Sequence, residues 1–560
     1  MRHIITFFRI IVGSVLVVSG LIKANDALGF SYKMEEYFEP AALDMPFFMD
    51  YALAIAVIVC VVEVVLGLSL LFGTKFKITT ILVFLMFVFF GFLTYYTAQC
   101  DPHEMITYIN KAGETITENT QCVLDCGCFG DALHLEPMQS FWKDIALLLM
   151  TLPLFLGFNS VKLNNERYDR YLIVGSILFT LFFSGYLFDW FFPVLFIAVA
   201  GAITVIFKFF YAKKRTDLAI IGLASILTSA FVYYTLTFLP IKDFRAYAEG
   251  NNLPELMKTS ETLQEEIYQV EFERIMPLYK QKIKDESHKL IMSNELLNSD
   301  SLSEEQKTEI KENIHQDITS KYETVADSIA MAFAADSMVR GNLLPPVFAS
   351  TFFMENKETK ERKEILSTDY LEQKLWKTWD MVYQMKNKKT GESKITKSKE
   401  EREKLKEQGF KEKNYPPVKL KDGREPAISP DFDFNDEKIN QEVLHGDEYL
   451  ILVVTWDLDK SREKSFIKLN NLYKHSQEKG YKFYGATSTL AKSEAFKKNN
   501  KVEFKFASAD EKILKTIVRS NPGVLLIKNG IVVKKWGKNT IPSSKKLEKV
   551  IAKYEAKQIK

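Results

Sequence analysis

The chain has 560 residues, of which 47% are hydrophobic and 26% are charged, and its formal net charge is +2. This length exceeds what one hydrophobic core usually organises, so several structural units are expected. The near-zero net charge, with basic runs flanked by acidic ones, excludes an electrostatic case for nucleic acid as a partner.

Seven stretches before residue 240 are apolar over the length that a spanning helix needs, about 20 residues for a hydrocarbon core of about 30 Å. The sequence therefore predicts an all-α membrane bundle of about seven transmembrane helices. In chain order the stretches are 4–22, 47–72, 76–98, 141–158, 171–188, 191–211 and 218–239.

Basic residues at the helix ends predict the orientation, because Lys and Arg that flank a spanning helix are retained in the cytoplasm. Arg2 and Arg9 place the N-terminus in the cytoplasm of a bacterial inner membrane. The loop 99–139 and the chain after residue 240 are then expected on the periplasmic face. A cleaved signal peptide is the alternative interpretation of the first helix. The other basic residues, at the same predicted face, are Lys75, Lys77, Arg167, Arg170, Lys213, Lys214 and Arg215.

Four of the five cysteines lie in the loop 99–139, and no cysteine follows Cys128. An oxidising compartment favours disulfides, and four cysteines allow three pairings. We expect Cys100 to pair with Cys122, and Cys126 with Cys128. A bridge across one residue closes a strained ring that is easily reduced, and Gly127 supplies the backbone freedom. Cys126 and Cys128 are therefore the candidate catalytic pair, with Cys100 and Cys122 as a disulfide or relay.

Two other interpretations of this loop stay open. Both disulfides could be structural links that pin a long loop. Zinc binding through thiolates with His103 and His134 is the other, but a Cys-x-Cys spacing lacks the two-residue gap of zinc knuckles, so no metal site is predicted. The fifth cysteine, Cys60, lies mid-helix among apolar residues and is given no role.

Four motifs in the first 158 residues resemble the DoxX/MauE group of small membrane proteins. They are Arg9-Ile-Ile-Val-Gly13, Ser19-Gly20-Leu-Ile-Lys23, Glu63-Val-Val-Leu-Gly67 and the run from Asp125 to Asp131. Resemblance to MauE, named for methylamine utilisation, implies a redox-associated four-helix unit that supports disulfide formation in periplasmic proteins. The segment from Leu239 to Tyr247 looks like the membrane exit of DoxX-family proteins from Bacteroidetes that continue into a periplasmic tail.

The arrangement is also similar to the DsbB and vitamin K epoxide reductase bundles, which pass electrons from thiols to quinones. A quinone is thus the one cofactor that the resemblance implies, although Cys-x-Cys replaces the Cys-x-x-Cys of those proteins. Glu63 lies inside the second span, where an ionisable residue needs a partner, and Lys23 or Arg9 could supply it. This pair is either a proton path for thiol chemistry or a polar packing contact.

Beyond the bundle, residues 255–338 have the pattern of two long helices, separated by a Ser301-Leu-Ser-Glu304 capping box and ended by Gly341. We expect a periplasmic helical hairpin over 240–345. Two similar short stretches, Met354-Glu-Asn-Lys-Glu-Thr359 and Met385-Lys-Asn-Lys-Lys-Thr-Gly391, then suggest a small duplicated element. The segment 346–429 is interpreted as a charged linker that contains these repeats.

Strand-like stretches at 449–455, 483–487, 502–506 and 524–527 alternate with helical periodicity, and Asn529-Gly530 predicts a hairpin into 531–535. This order resembles the thioredoxin fold over about residues 430–560. Where that family carries Trp-Cys-x-x-Cys, this chain has Thr455-Trp456-Asp457-Leu458. The domain is therefore expected to bind proteins without thiol chemistry, through a groove at Trp456 and a cis-Pro522. The alternative is a domain that serves only as a structural cap.

Two functions follow. In the first, the protein supports disulfide exchange or maturation of exported envelope proteins, which would be its thiol-containing partners. In the second, it is a non-enzymatic scaffold subunit of a larger envelope complex, with structural disulfides and a peptide- or protein-binding thioredoxin-like domain. The domains are then 1–158, 159–239 for three further spans, 240–345, 346–429 and 430–560, with membrane lipids as a further partner.

Overall fold

A computed structural model describes most of the chain, and the fold below is that of the described residues. These are 2–40, 42–100, 105–109, 115–120, 122–123, 125–157, 166–210, 213–298, 302–387, 392–413, 415, 417–429 and 434–558. His103 lies outside them.

The N-terminal half is helical, and five of its described helices are long and apolar enough to cross a membrane. The chain is therefore a membrane protein. Two shorter apolar helices, Tyr171–Tyr186 and Phe192–Phe207, occupy the fifth and sixth predicted spans. The helices of this membrane unit are α1 Arg2–Asn25, α2 Ala27–Phe38, α3 Ala52–Phe72, α4 Phe76–Ala98, α5 Pro137–Gly157, α6 Glu166–Thr180, α7 Phe192–Phe210 and α8 Lys213–Thr237.

Glycines bring α1 and α3 close together at the centre of the membrane unit. A Cβ atom on Gly67 would lie 2.8 Å from the carbonyl oxygen of Gly13, and one on Gly13 would lie 2.6 Å from Leu71. Small residues at such a crossing let helix backbones approach in a membrane, where packing replaces the hydrophobic effect. Arg9 donates hydrogen bonds to the carbonyl oxygens of Leu70 and Leu71 at the end of α3, so it is not the partner of Glu63.

The short helix α2 was not among the predicted elements, because its 12 residues are too short and too polar to resemble a span. Asp26 caps its start by accepting a hydrogen bond from the Gly29 amide at 2.9 Å. The cysteine loop, residues 99–139, follows α4 and contains a two-stranded sheet of β1 Met105–Ile109 and β2 Thr115–Asn119. Thus α2 and the cysteine loop lie at the same end of the bundle.

After α8 come the short helix α9 Leu253–Met257 and two long helices, α10 Ser260–Ser293 and α11 Glu304–Arg340. The two long helices pack as a pair through polar contacts such as Tyr268 to Asp327 at 2.6 Å. The cap of α11 is Ser303 with Gln306, and Gly341 follows its last residue. The predicted capping box began at Ser301, which lies outside the described residues.

Residues 347–421 contain strands where a charged linker was predicted, which corrects that interpretation. Two three-stranded antiparallel sheets lie here, and both have the same order of elements along the chain. The central strand comes first, followed by a second strand, a helix and the third strand. Met354 and Met385 are fully buried at the centre of the two sheets, so each charged surface covers a small apolar core. The elements are β3 Val347–Ala349, β4 Thr351–Asn356, β5 Arg362–Leu366, α12 Ser367–Glu372, β6 Trp379–Met381, β7 Tyr383–Asn387, β8 Ser393–Thr396, α13 Lys399–Glu407, β9 Phe410–Glu412 and β10 Val418–Lys421.

The C-terminal domain, residues 434–558, is a five-stranded sheet in the order β13-β12-β11-β14-β15 with helices on both faces. The strands β11, β12 and β13 are parallel, whereas β14 and β15 run antiparallel to their neighbours. The elements are α14 Glu437–His445, β11 Leu450–Val454, α15 Lys464–Lys479, β12 Lys482–Thr487, α16 Ser493–Asn500, β13 Phe506–Ser508, α17 Glu511–Ile517, β14 Gly523–Lys528, β15 Ile531–Gly537 and α18 Ser544–Gln558.

One strand of this domain was predicted in the wrong place. The apolar alternation of 502–506 comes from Val502 and Phe504, which are buried in the core on one face of the sheet without joining a strand. The strand itself begins at Phe506. The peptide bond between Asn521 and Pro522 is cis.

The segment after α8 belongs structurally to the C-terminal domain rather than to the helical pair. The amide of Gly250 donates to the carbonyl oxygen of Val532 at 2.7 Å, and that of Leu253 donates to Gly530 at 2.9 Å. Leu253 and Tyr247 are buried in the same core as α14 and α17. The predicted unit 240–345 is therefore divided between two parts of the molecule, because this segment covers the edge strand β15.

Candidate functional site

The cysteine loop contains two different kinds of cysteine. Cys100 and Cys122 form a disulfide with a Cα to Cα distance of 5.7 Å. Cys126 and Cys128 are free thiols, so the structure has the reduced form of the pair where a bridge was expected. Cys60 is a third free cysteine, buried inside α3.

The sulfur of Cys126 is surrounded by groups that stabilise negative charge. Ser140, in the first turn of α5, donates a hydrogen bond to this sulfur at 2.8 Å, and the amide of Cys128 donates at 3.3 Å. A hydrogen bond from the Cys128 thiol lowers the pKa of Cys126, whereas burial alone would raise it. The cation of Lys143 lowers the pKa further, to about 6. Cys126 is therefore a thiolate at neutral pH.

Cys128 has the opposite character. Its hydrogen bond to Cys126 and its burial both raise its pKa well above that of an ordinary thiol. The pair thus consists of one thiolate and one thiol, with the shared proton on Cys128. A thiolate is a far stronger nucleophile than a thiol, so Cys126 is the more reactive of the two sulfurs at neutral pH.

Cys126 and Cys128 lie on either side of a tight turn at Gly127. The Gly127 amide donates to the Asp125 carboxylate at 2.6 Å, and Gly127 has a φ of +63°, which other residues rarely adopt. Lys33 of α2 and His134 lie 3.5 Å and 3.4 Å from the same carboxylate. Burial alone would raise the pKa of Asp125, but His134 and Lys33 hold it below its usual range. The turn is therefore fastened to α2.

Beneath the pair, Lys23 and Glu63 form an ion pair of 2.5 Å between α1 and α3, with side chains 4% and 1% exposed. Ser19 accepts a hydrogen bond from Lys23 at 3.1 Å and lies 3.1 Å from Glu63 and 2.9 Å from the carbonyl oxygen of Cys128. A hydroxyl has one hydrogen, so Ser19 donates to one of these two acceptors at a time. The predicted partner of Glu63 is thus Lys23, and Ser19 joins this pair to the backbone of Cys128.

Tyr37 of α2 is a buried phenol at the cysteine pair, and its side chain is 2% exposed. Its hydroxyl has no hydrogen-bond partner in the described part of the chain. Burial, and then the neighbouring Cys126 and Cys128, raise its pKa above the ordinary value, so it keeps its proton. A protonated phenol without a partner is a hydrogen-bond donor available to whatever reacts at the pair.

A cleft of about 500 Å³ opens between the membrane unit and the C-terminal domain, and Gly127 is part of its wall. Lys33 of α2 lines one side, and Lys515 of α17 lines the other. Gly127 is the residue between the two cysteines that lines this cleft, whose volume is enough for a few residues of an extended chain.

Arg519, which follows α17, holds the C-terminal domain against the membrane unit. It lies 2.8 Å from Asp26 and 3.2 Å from Asp131, three residues beyond Cys128. Its side chain is 9% exposed, so this contact is largely withdrawn from water. Burial alone would raise the pKa of Asp26, but Arg519 keeps it low. At Asp131 burial has the larger effect, and the pKa is raised.

Of the two residues predicted for a partner-binding groove, Trp456 lies near this junction, and Pro522 is buried within the C-terminal domain. Lys515 lies 5.3 Å from the ring of Trp456 and 4.5 Å from that of Tyr32 of α2. Pro522 follows Asn521, whose amide donates to the carbonyl oxygen of Asp457 at 2.7 Å. The structure therefore brings Trp456 near α2 through Lys515, a proximity that no sequence pattern indicated.

No group of three or more His, Cys, Asp or Glu side chains able to hold a metal occurs among the described residues. Sequence reasoning identified Cys126, Cys128, Lys23 and Glu63 but missed the residues that set their chemistry. Ser140 and Lys143 follow Pro137 at the start of a predicted span, and a polar residue in that position was the available signal. For Tyr37, Asp26, Asp131 and Arg519 the sequence carried none.

The first part of the chain is similar to a known family. Residues 1–103 match the family model described as methylamine utilisation protein MauE. This MauE domain covers α1 to α4, including Lys23, Glu63 and Cys100. It ends before Cys126 and Cys128, whereas the sequence analysis expected the resemblance to extend to residue 158. No curated protein and no solved structure matches the chain.

Proposed function

We propose that the protein exchanges disulfides with exported proteins at the outer face of a bacterial inner membrane, through Cys126 and Cys128. The observation that carries the proposal is the Cys126 sulfur, which accepts hydrogen bonds from Ser140 and Cys128 beside the cation of Lys143. A thiolate so stabilised beside a protonated second thiol is what an exchanging pair requires, whereas a structural disulfide has no use for it.

The exchange is a balanced transfer of two electrons. The Cys126 thiolate attacks a disulfide in the client, forms a mixed disulfide and releases one client thiolate. Cys128 then gives up its proton and attacks the Cys126 sulfur, which forms the Cys126–Cys128 disulfide and releases the second client thiolate. The client is reduced and the pair is oxidised; run backwards, the same steps oxidise a client dithiol.

The other residues of the site support these steps by position. Lys143 and Ser140 stabilise the thiolate, and the turn fastened by Asp125 holds the two sulfurs together. The cleft beside Gly127 is the proposed client entrance. Lys23 and Glu63, joined through Ser19 to the Cys128 backbone, are the proposed route for the proton that Cys128 releases.

A quinone is the proposed electron acceptor for the reverse direction, in which the Cys126–Cys128 disulfide oxidises a client dithiol and is itself left as the dithiol. When bound, it would take two electrons from that dithiol within the membrane and so restore the disulfide. Phe129 follows Cys128 and packs against Phe183 and Phe188 at centroid distances of 6.0 Å and 5.8 Å. The hydroxyl of Tyr37, which has no partner among the described residues and lies near the cysteine pair, is the donor that suits a quinone carbonyl oxygen.

For the C-terminal domain we propose a thioredoxin-like fold that recruits clients without thiol chemistry. The strand order, with a parallel half and an antiparallel β14–β15 hairpin, supports this fold. Trp456 matches the Trp of the Trp-Cys-x-x-Cys motif, Asp457 stands where that family has its first active cysteine, and no cysteine follows Cys128. The proximity of Trp456 to the cleft supports a client-positioning role.

A membrane scaffold is the second candidate function. The buried Arg519 contacts that join the two domains favour it, because they describe a preassembled unit rather than a mobile carrier. In that case Cys126 and Cys128 would form a stable structural bridge under oxidising conditions.

Trapping of mixed disulfides in membranes separates the two functions. In the Cys128→Ser variant the second step is removed, so we expect Cys126 to accumulate in mixed disulfides with exported proteins. The matched control, Cys126→Ser, should trap nothing above the background set by a Cys60→Ser variant. Equal trapping in all three variants would contradict the exchange function.

The midpoint potential of the pair gives a second criterion. We expect about −120 to −200 mV, the range of oxidising exchange proteins. A bridge that resists reduction below about −300 mV would identify a structural disulfide and favour the scaffold.

A further inference from the structure

The sheet formed by β3 and β10 is a two-stranded ribbon whose apolar side chains are exposed. Val347, Phe348, Val418 and Leu420 are 47%, 51%, 37% and 44% exposed. These four belong to two strands of three and four residues, and the described structure pairs no third strand with them. A two-stranded sheet is marginal in water unless its apolar surface packs against something.

The position of the ribbon indicates what its apolar side chains pack against. Lys419 of β10 lies 3.7 Å from Glu136, which directly precedes Pro137, the first residue of a membrane-capable helix. Both partners are partly exposed, so the ion pair contributes little energy, but it places the ribbon at the depth where α5 begins. Phe348 pairs with Lys419 across the ribbon and therefore shares its face.

The outer surface of α5 marks the same depth as a membrane boundary. Met138 and Trp142, in its first two turns, are 41% and 63% exposed. Exposed Trp side chains are typical of the interface between headgroups and acyl chains. The ribbon thus continues an apolar surface that already faces lipid.

We propose that the β3–β10 ribbon is an interfacial anchor that inserts Phe348, on the face it shares with Lys419, between the lipid headgroups beside α5. Val347 and Val418 pair with Lys421 and Ala349 and lie on the opposite face. Lys419 forms ion pairs with Glu136, Asp422 and Glu425, which hold it where α5 begins. The ribbon joins the repeated sheets to the start of α10, since the Arg424 side chain donates to the carbonyl oxygen of Lys258 at 2.6 Å. Anchoring it fixes the sheets and the helical pair relative to the membrane surface, independently of any thiol chemistry.

Quenching by brominated lipid tests the proposal on the full chain in phosphatidylcholine bilayers. Phe348→Trp adds one fluorophore to the six native tryptophans, and the added signal is obtained by subtracting the unchanged chain. We expect this signal to be quenched at least twofold by lipid brominated near the headgroup and to be shielded from iodide. Val418→Trp, on the opposite face of the ribbon, is the matched variant that shows whether the quenching is confined to the face of Phe348.

The control is Leu296→Trp, at the end of α10 that lies about 50 Å along the helix from Ser260 at 1.5 Å per residue. Leu296 is 62% exposed, so its signal shows the behaviour of an exposed site. If the Phe348→Trp signal is quenched by lipid no more than that of Leu296→Trp, or no more than that of Val418→Trp, the face of Phe348 does not insert. Shielding from iodide without quenching by lipid would assign the surface to a protein partner instead and would also overturn the proposal.

Discussion

Cys126 and Cys128 are separated by one glycine, yet their surroundings give them opposite protonation states. Cys126 accepts hydrogen bonds from Ser140 and from the Cys128 amide, next to Lys143, whereas Cys128 is the donor of the pair. A thiol with a low pKa is deprotonated and attacks a disulfide readily. A thiol that keeps its proton is the one suited to the second step of exchange, after it is deprotonated. The division of roles is thus decided by a few contacts around two sulfurs.

This division predicts the pH dependence of alkylation. The pKa of Cys126 is about 6, below that of a free thiol, so the thiolate is present above pH 6 and is lost as the pH falls through that value. We expect the rate at which iodoacetamide modifies Cys126 to reach half its plateau near pH 6, measured by peptide mass spectrometry on the reduced full chain.

Removal of the Ser140 hydroxyl should move this midpoint upward by about one pH unit, because a hydrogen bond to a charged group is worth about 1.5–3 kcal/mol and one pH unit is about 1.4 kcal/mol. The matched control is Ser14→Ala, which deletes a buried hydroxyl of α1 that has no partner in the described structure. A midpoint near 8.5 in the unchanged chain, or equal midpoints in both variants, would contradict the assignment of Ser140.

At the scale of elements, the contact between α1 and α3 supports the site from below. Gly13 and Gly67 bring these helices close together, and the Lys23–Glu63 pair lies at the end of the contact next to Cys128. Each side chain is almost fully withdrawn from solvent, so neither charge has water to replace its partner. The pair should therefore act as one unit.

Substitution of both partners should destabilise the protein less than the effects of the two single substitutions added together. Glu63→Gln leaves Lys23 charged and buried, and Lys23→Met leaves Glu63 in the same condition, so each should lower the free energy of unfolding by about 3–5 kcal/mol. The double variant should lose less than the sum. Thermal unfolding of the full chain in nanodiscs measures this, and strict additivity would show that the two charges are not coupled.

The elements between 347 and 421 show where charge content misleads sequence interpretation. Lys and Glu dominate these residues, which is typical of a linker, but Met354 and Met385 each occupy the middle of a three-stranded sheet. The similarity of the two stretches predicted a duplicated element, and both stretches begin on the central strand of their sheet. A core of three or four side chains is too small to produce a hydrophobic pattern in the sequence.

For the whole molecule, the main feature is the closure of the C-terminal domain over the cysteine loop. Arg519 bridges Asp26 and Asp131, the Arg245 side chain donates to the carbonyl oxygen of Thr516 at 3.0 Å, and Lys535 pairs with Asp243 at 2.7 Å. These contacts are formed between residues hundreds of positions apart or across the membrane exit. They make one wall of the cleft dependent on the docking of a distant domain.

Loss of Arg519 should open this junction. In Arg519→Ala, Asp26 loses its buried partner, and we expect amide hydrogen exchange in α2 and at 125–131 to rise by about tenfold or more as docking weakens. The control is Lys468→Ala, which removes an exposed cation from α15 on the C-terminal domain. Exchange rates equal in the two variants would show that Arg519 does not hold the domains together.

Composition and periodicity alone determined that the chain is a membrane protein with a helical first half and a mixed α/β end, because long apolar runs and alternating strands are local patterns. Cysteine spacing likewise singled out Cys126 and Cys128. Only the tertiary structure decided which thiol is the nucleophile, which partner Glu63 takes, and that Arg519 reaches the cysteine loop. These depend on distances between side chains on separate elements, and a pattern of neighbours along the chain contains no such distances.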